Sequence, residues 1–175
     1  MTDFLRKIHL VKDISIQLPV SKIDFIQKFS NNVDESDLYF SPFEIFESSN
    51  NEYKGFLLDN YFEIRKRRKF FDANYSFAKV SGTFTENNNQ IHIDAEINGL
   101  QHRMILLFAV IFIFYSIFII NAFLSADSKA PFIILPIILV HMSLMFGIPY
   151  FVIRRTVNRA SYDIERDFHY WVTKN

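Results

Sequence analysis

Two stretches decide how this chain is read: Met104–Leu124, MILLFAVIFIFYSIFIINAFL, and Pro131–Ile153, PFIILPIILVHMSLMFGIPYFVI. The first runs 21 residues without a charge. At about 1.5 Å per residue it reaches about 32 Å, enough to cross a hydrocarbon core of about 30 Å. The second is 23 residues long, and His141 is its only side chain that titrates near neutral pH. Phe, Ile and Leu occupy every face of both, and two such runs in tandem point to lipid rather than to the core of a soluble protein. The expected class is membrane α+β. It comprises a β-rich domain over 1–100, a transmembrane hairpin over 101–153 (helices 104–124 and 131–153, loop 125–130) and a C-terminal amphipathic helix over 154–175.

The link Ser125-Ala-Asp-Ser-Lys129 allows only a tight turn, so the two helices are expected to run antiparallel and return to one side. Arg103 precedes the first helix and Arg154, Arg155 and Arg159 follow the second, against Lys129 alone in the loop. The positive-inside rule then places both termini in the cytoplasm of a two-pass protein of the cell (inner) membrane. Met1–Leu10 lacks a basic region followed by an apolar run and a cleavage site, so no signal peptide is expected and insertion falls to the internal helices.

Within the hairpin, Pro136 and Pro149 each remove an amide donor, and kinks are expected there. Ser143 and Gly147 form a small-xxx-small pair that offers a seat to another helix. His141 falls near mid-membrane, and folding the hairpin about Asp127 brings it level with Ile113–Tyr115. The expected arrangement is a neutral imidazole hydrogen-bonded to Tyr115 or to a backbone carbonyl. A proton relay would need a carboxylate partner, which neither helix contains.

Met1–Leu100 carries 12 Lys/Arg against 15 Asp/Glu, and Gln101–Asn175 carries 7 against 4. The mildly acidic soluble part argues against a nucleic-acid partner. The absence of cysteine excludes disulfides, thiolate metal sites and cysteine nucleophiles. Between Lys7 and Leu18 the apolar residues Ile8, Leu10, Ile14 and Ile16 alternate with polar ones, predicting a strand whose apolar face Lys12 interrupts. Ser21 caps a short helix, Lys22–Phe29, with Ile23, Ile26 and Phe29 on one face. Asn31–Asp37 reads as a polar loop and Leu38–Phe46 as an extended segment broken by Pro42. Tyr53–Leu58 and Tyr61–Lys66 flank the turn Asp59-Asn60, and Tyr75–Thr85 and Gln90–Ile97 flank Glu86–Asn89. One helix followed by an antiparallel meander is expected.

In the last strand Ile91, Ile93, Ala95 and Ile97 share one face, and His92, Asp94 and Glu96 the other. A His-x-Asp-x-Glu face has metal-ligand chemistry, but no further ligand converges on it in the sequence; a solvated outer face is expected, with no metal and no cofactor. The run Arg65-Lys66-Arg67-Arg68-Lys69 either contacts anionic headgroups on the cytoplasmic leaflet or is balanced by the domain's own acids. After the second apolar helix, Val157, Ala160, Ile164, Phe168 and Trp171 recur at helical spacing and predict a stripe that covers the open face of the sheet or lies on the membrane.

The order strand, short helix, antiparallel strands and late long helix resembles the helix-grip arrangement of START-like lipid-binding domains. That resemblance implies a ligand cavity between sheet and C-terminal helix. Separately, Tyr53-Lys-Gly-Phe, Tyr61-Phe-Glu-Ile-Arg, Ser81-Gly-Thr-Phe and Ile91-His-Ile are similar to a pattern in small uncharacterised bacterial two-helix membrane proteins, a resemblance that implies no activity. No nucleophile context or glycine-rich phosphate loop is legible among four glycines, so an enzyme is not expected. The expected function is a membrane-anchored binding or accessory protein that docks a larger membrane protein or its own copies. The alternative is a lipid or small-ligand sensor.

Overall fold

The computed structural model describes residues 2–38, 46, 49–67, 77–124 and 130–174. It is an α+β structure of six strands and four helices, in the order α1 (Thr2–Lys7), β1 (Val11–Leu18), α2 (Lys22–Asn32), β2 (Val33–Glu35), β3 (Tyr53–Leu58), β4 (Tyr61–Lys66), β5 (Lys79–Asn87), β6 (Gln90–Asn98), α3 (His102–Leu124) and α4 (Ala130–Thr173). Two compact units emerge: residues 1–99 together with 153–175, and residues 100–152.

The first unit is a sheet in the order β1-β6-β5-β4-β3-β2. All neighbours pair antiparallel except β2, which lies parallel to β3 with Val33 opposite Tyr53. The expected all-antiparallel meander is thus corrected to a mixed sheet. The stretch read as a polar loop, Asn31–Asp37, instead finishes α2 and forms β2. Its one apolar residue, Val33, is buried, and a single apolar residue leaves no periodicity to read.

Chain reversals follow local chemistry. Asp59 takes φ 52° in the β3–β4 turn, and Asn88 and Asn89 take φ 51° and 60° between β5 and β6, as a two-residue type I′ turn requires. At the start of the chain His9 takes φ 60°. The Leu10 amide donates to the Leu5 carbonyl at 2.9 Å and the His9 amide to that of Arg6 at 3.0 Å, closing α1 with a Schellman motif before β1 begins. The predicted strand therefore starts four residues late, at Val11.

Register sorts the side chains by face. Ile16, Leu18, Ile91, Ile93, Ile97, Val80, Phe84, Phe62 and Ile64 are buried on one face of the sheet. Two helices cover that face. Ser21 caps α2 through its hydroxyl, which accepts from the Asp24 amide, but the buried residues of α2 are Phe25 and Phe29, one turn apart. Ile23 is 78 % exposed, so the expected Ile23–Ile26–Phe29 face is corrected. The second cover is the far part of α4, where Val157, Ala160, Ile164, Phe168 and Trp171 are all buried. Phe168 meets Phe25 at 5.9 Å and Phe62 at 5.8 Å between ring centroids, and Trp171 meets Tyr53 at 5.7 Å, edge-on.

Polar contacts fix the same interface. Lys12, which interrupts the apolar pattern of β1, donates to the Ser161 hydroxyl of α4 at 2.7 Å. Lys28 of α2 donates to the Val172 and Lys174 carbonyls, satisfying acceptors that a helix C-terminus leaves free. A Cβ on Gly99 would meet the Ile153 and Val157 side chains closer than contact distance, so only glycine lets the end of β6 pass α4 here.

The second unit is a helical hairpin. Phe108 faces Phe146 and Tyr115 faces His141, so contacts made later in α3 fall earlier in α4 and the two segments run antiparallel. No new helix begins after Ile153: α4 is continuous for 44 residues and runs through both Pro136 and Pro149. The Ser125–Lys129 link, most of Leu38–Phe46 and the start of Tyr75–Thr85 lie outside the described residues.

Phe168→Ala would remove the ring through which α4 meets both α2 and the sheet. It is expected to cost about 3–5 kcal/mol of unfolding free energy, read by denaturant unfolding of the full chain in mild detergent.

Candidate functional site

The first unit places its chemistry-bearing residues in three groups. One lies where α4 crosses the ends of β3 and β4. Tyr53 donates from its hydroxyl to Asp167 Oδ2 at 2.6 Å, and Arg166 donates from Nε to Asp167 Oδ1 at 2.8 Å. Asp163, buried, pairs with Arg166 at 3.4 Å and Lys66 at 3.6 Å, and Lys66 also reaches Glu52 at 3.3 Å. Burial first, and then the neighbouring carboxylate of Asp167, push the Tyr53 hydroxyl far above the usual phenol range, so it is a fixed donor at any physiological pH. The cavity beside these residues, between Tyr53, Val80, Ala160 and Ile164, measures about 10 Å³. That is room for about one water and far too little for an acyl chain.

A second group centres on Asp34 of β2. Its carboxylate accepts from the Ser49 hydroxyl at 2.6 Å and the Asn51 side-chain amide at 2.8 Å, and it is ion-paired with Arg67. Burial opposes the charge, yet the hydrogen bonds from Ser49 and Asn51 and the charge of Arg67 outweigh it and hold Asp34 below the usual carboxylate range.

The third group is the outer face of the sheet, where Arg6 reaches Glu96 at 2.7 Å and Asp13 at 2.9 Å. His92 Nε2 lies 3.2 Å from the Ser15 hydroxyl and 3.4 Å from Asp94. Arg6, Asp13, Ser15, Asp94 and Glu96 rim an open depression of about 460 Å³ lined also by Tyr61 and Thr83. Glu96 is therefore engaged by a guanidinium, and among the described residues no group of three His, Asp or Glu side chains is placed to hold a metal.

The basic run is spread through the fold. Arg65 is buried at 6 % exposure, Lys66 lies between Glu52 and Asp163, and Arg67 is held by Asp34. Arg68 and Lys69 lie outside the described residues. For Lys66 and Arg67, the domain's own acids are the partners.

In the hairpin, Tyr115 Oη and His141 Nδ1 are hydrogen-bonded, with ring centroids 5.8 Å apart. Tyr115 is buried and His141 exposed. Ser143 donates to the Leu139 carbonyl of its own helix at 2.7 Å, and a Cβ on Gly147 would meet nothing within 4 Å, so neither residue seats α3.

Sequence reasoning missed the Tyr53–Asp167 and Asp34–Asn51 contacts. The partners lie 114 and 17 residues apart, and no local pattern marks them. Comparison with protein-family models, with curated proteins and with solved structures finds no match for this chain.

Asp34 supplies a pH test with a definite sign. Its folded pKa is depressed, so its contribution is present above the unfolded value of about 4 and is lost as pH falls through the folded one. Asp34→Asn is expected to lower the unfolding midpoint at pH 7 and to flatten the loss of stability below about pH 4, measured by denaturation across pH.

Proposed function

We propose that this chain is a two-pass membrane protein whose sheet and covering helices form a non-catalytic binding module for a larger membrane protein. The observation that carries the membrane reading is the contrast between the two units. Only 6 % of Met104–Asn121 is buried, and Leu106, Phe114, Ile148 and Phe151 are all more than half exposed. In water, each large apolar side chain left exposed forgoes about 1.5–3 kcal/mol; in hydrocarbon the same surface is the favourable exterior. The sheet's apolar face, by contrast, is closed by its own helices. A helical hairpin built to bury itself in protein would not leave its apolar surface bare.

The orientation with both termini in the cytoplasm rests on the basic residues that flank the helices. Arg154 and Arg155 follow the apolar part of α4 directly, and Arg155 is exposed. The non-catalytic reading is supported by what occupies the polar groups. Lys66, Asp163, Asp167 and Arg166 neutralise one another, Asp34 and Arg67 do the same, and Tyr53 is locked as a donor. The filled space between Tyr53 and Ile164 speaks for docking rather than for a lipid pocket in that region.

Purification in mild detergent at native expression is expected to bring down a second membrane protein in stable proportion. Migration of the chain with no other protein would overturn the accessory reading.

A further inference from the structure

Three parts of the chain meet at the corner of the first unit where β6 ends. The Gly99 amide donates to the Leu10 carbonyl at 3.0 Å, which ties the end of β6 to the residue before β1. Gly99 also lies so close to Ile153 and Val157 that a Cβ there would clash with both side chains. The chain therefore leaves for α3 and returns along α4 at one place. Met104, where the uncharged run begins, is five residues after Gly99, a reach of at most about 18 Å.

The short helix α1 is fastened to the same corner. Its six residues are too few to stay helical in water unaided, so tertiary contacts hold it. Leu5 and Leu10 are buried, the Leu10 amide donates to the Leu5 carbonyl, and Arg6 reaches Glu96 of β6 and Asp13 of β1. Fixed in this way, α1 turns Phe4 outward at 63 % exposure. Lys7, exposed, and Ile8, half-buried, stand three and four positions further on along the same face. A lone exposed phenylalanine is ordinary on a protein surface. What sets Phe4 apart is its place. The exposed Ile23 and Leu58 lie at the other end of the sheet: Lys22, beside Ile23, donates to Asn60 in the β3–β4 turn that follows Leu58. The Asn60 carbonyl in turn accepts from the Phe84 amide, and Phe84 pairs with Ile93, six residues and about 20 Å of strand from Gly99.

We propose that α1 is a foot that rests on the bilayer, with the Phe4 ring in the headgroup layer and Lys7 among the lipid phosphates. The occupant of this surface is lipid because both passages of the chain to the apolar hairpin lie at the corner that carries α1. An aromatic ring with an ammonium one turn further on suits that layer: the ring settles at the boundary with the acyl chains, and the long lysine stem lets its charge stay in the polar zone. The ion pairs of Arg6 and the Gly99–Leu10 bond make the foot part of the sheet rather than a loose end. Its contact therefore fixes the tilt of the sheet on the membrane.

The proposal rests on the membrane reading, and the experiment separates the two. The chain has no cysteine, so Phe4→Cys, Ile23→Cys and Ile148→Cys each give a single site for a nitroxide label. All three positions are exposed, and the labels leave the core intact. Full-length labelled chains are reconstituted in phosphatidylcholine and phosphatidylglycerol vesicles, and collisions with oxygen and with a water-soluble nickel chelate are measured. At Phe4 the chelate collisions seen at Ile23 should be lost and oxygen collisions should rise, unchanged as protein is diluted in lipid. Chelate access at Phe4 equal to that at Ile23, with Ile148 shielded, overturns the proposal and leaves the membrane reading standing. Shielding at Phe4 that vanishes on dilution, or that excludes oxygen as well, shows a protein surface in place of lipid and also overturns it. Chelate access at Ile148 is a different failure, that of the membrane reading itself, and the proposal falls with it.

Discussion

The structure depends on one contact: the stripe Val157, Ala160, Ile164, Phe168 and Trp171 of α4 lying against the apolar face of the six-stranded sheet. A sheet with one solvated face must bury the other, and α2 alone supplies only Phe25 and Phe29. The residues that complete the core come from the opposite end of the chain. Ile153, Val157 and Phe168 are each no more than 1 % exposed, and the Lys12–Ser161 and Tyr53–Asp167 bonds pin both margins of the same interface. Every residue between Gly99 and Ile153 is thus an insertion within one folded unit, which ties that unit's stability to segments on either side of the hairpin.

That arrangement gives α4 two environments. Its first part is apolar and largely exposed; its last part is amphipathic, with one face buried and Arg159, Tyr162 and Tyr170 turned outward. The change of character falls at Ile153, Arg154 and Arg155. A buried isoleucine there is followed by a pair of cations, which ends the apolar run. Because α4 is unbroken, its apolar first part and its amphipathic last part belong to a single helix rather than to two elements on a linker.

Much of this was legible in the sequence. Length and lack of charge revealed both apolar helices, period two revealed β6 with its buried Ile91, Ile93 and Ile97, and the 3–4 spacing from Val157 to Trp171 revealed the covering stripe. The turn before β6 was announced by the cluster Glu86–Asn89, of which Asn88 and Asn89 form the turn itself. What stayed hidden has physical reasons. Three-residue β2 is held by pairing with β3 and by the bonds of Asp34, not by its own pattern. The face of α2 was misread because Ile23 and Ile26 are as apolar as the rings, so spacing alone did not choose between two faces; the sheet buries Phe25 and Phe29. The continuity of α4 was obscured by a change in composition at Arg154 that alters solvent preference without altering backbone preference. The basic run looked like a surface patch because its acids, Asp34, Glu52 and Asp163, are scattered over the chain.

The central claim is that one helix faces lipid with its first part and the sheet with its last. Spin labels placed singly on α4 of the full chain in vesicles test it through their collisions with oxygen and with a water-soluble nickel chelate. Labels at Leu144 and Ile148 should collide with oxygen and not with the chelate, a label at Tyr162 should collide with the chelate, and one at Ala160 should be shielded from both. Chelate access at Ile148 equal to that at Tyr162 would contradict the account.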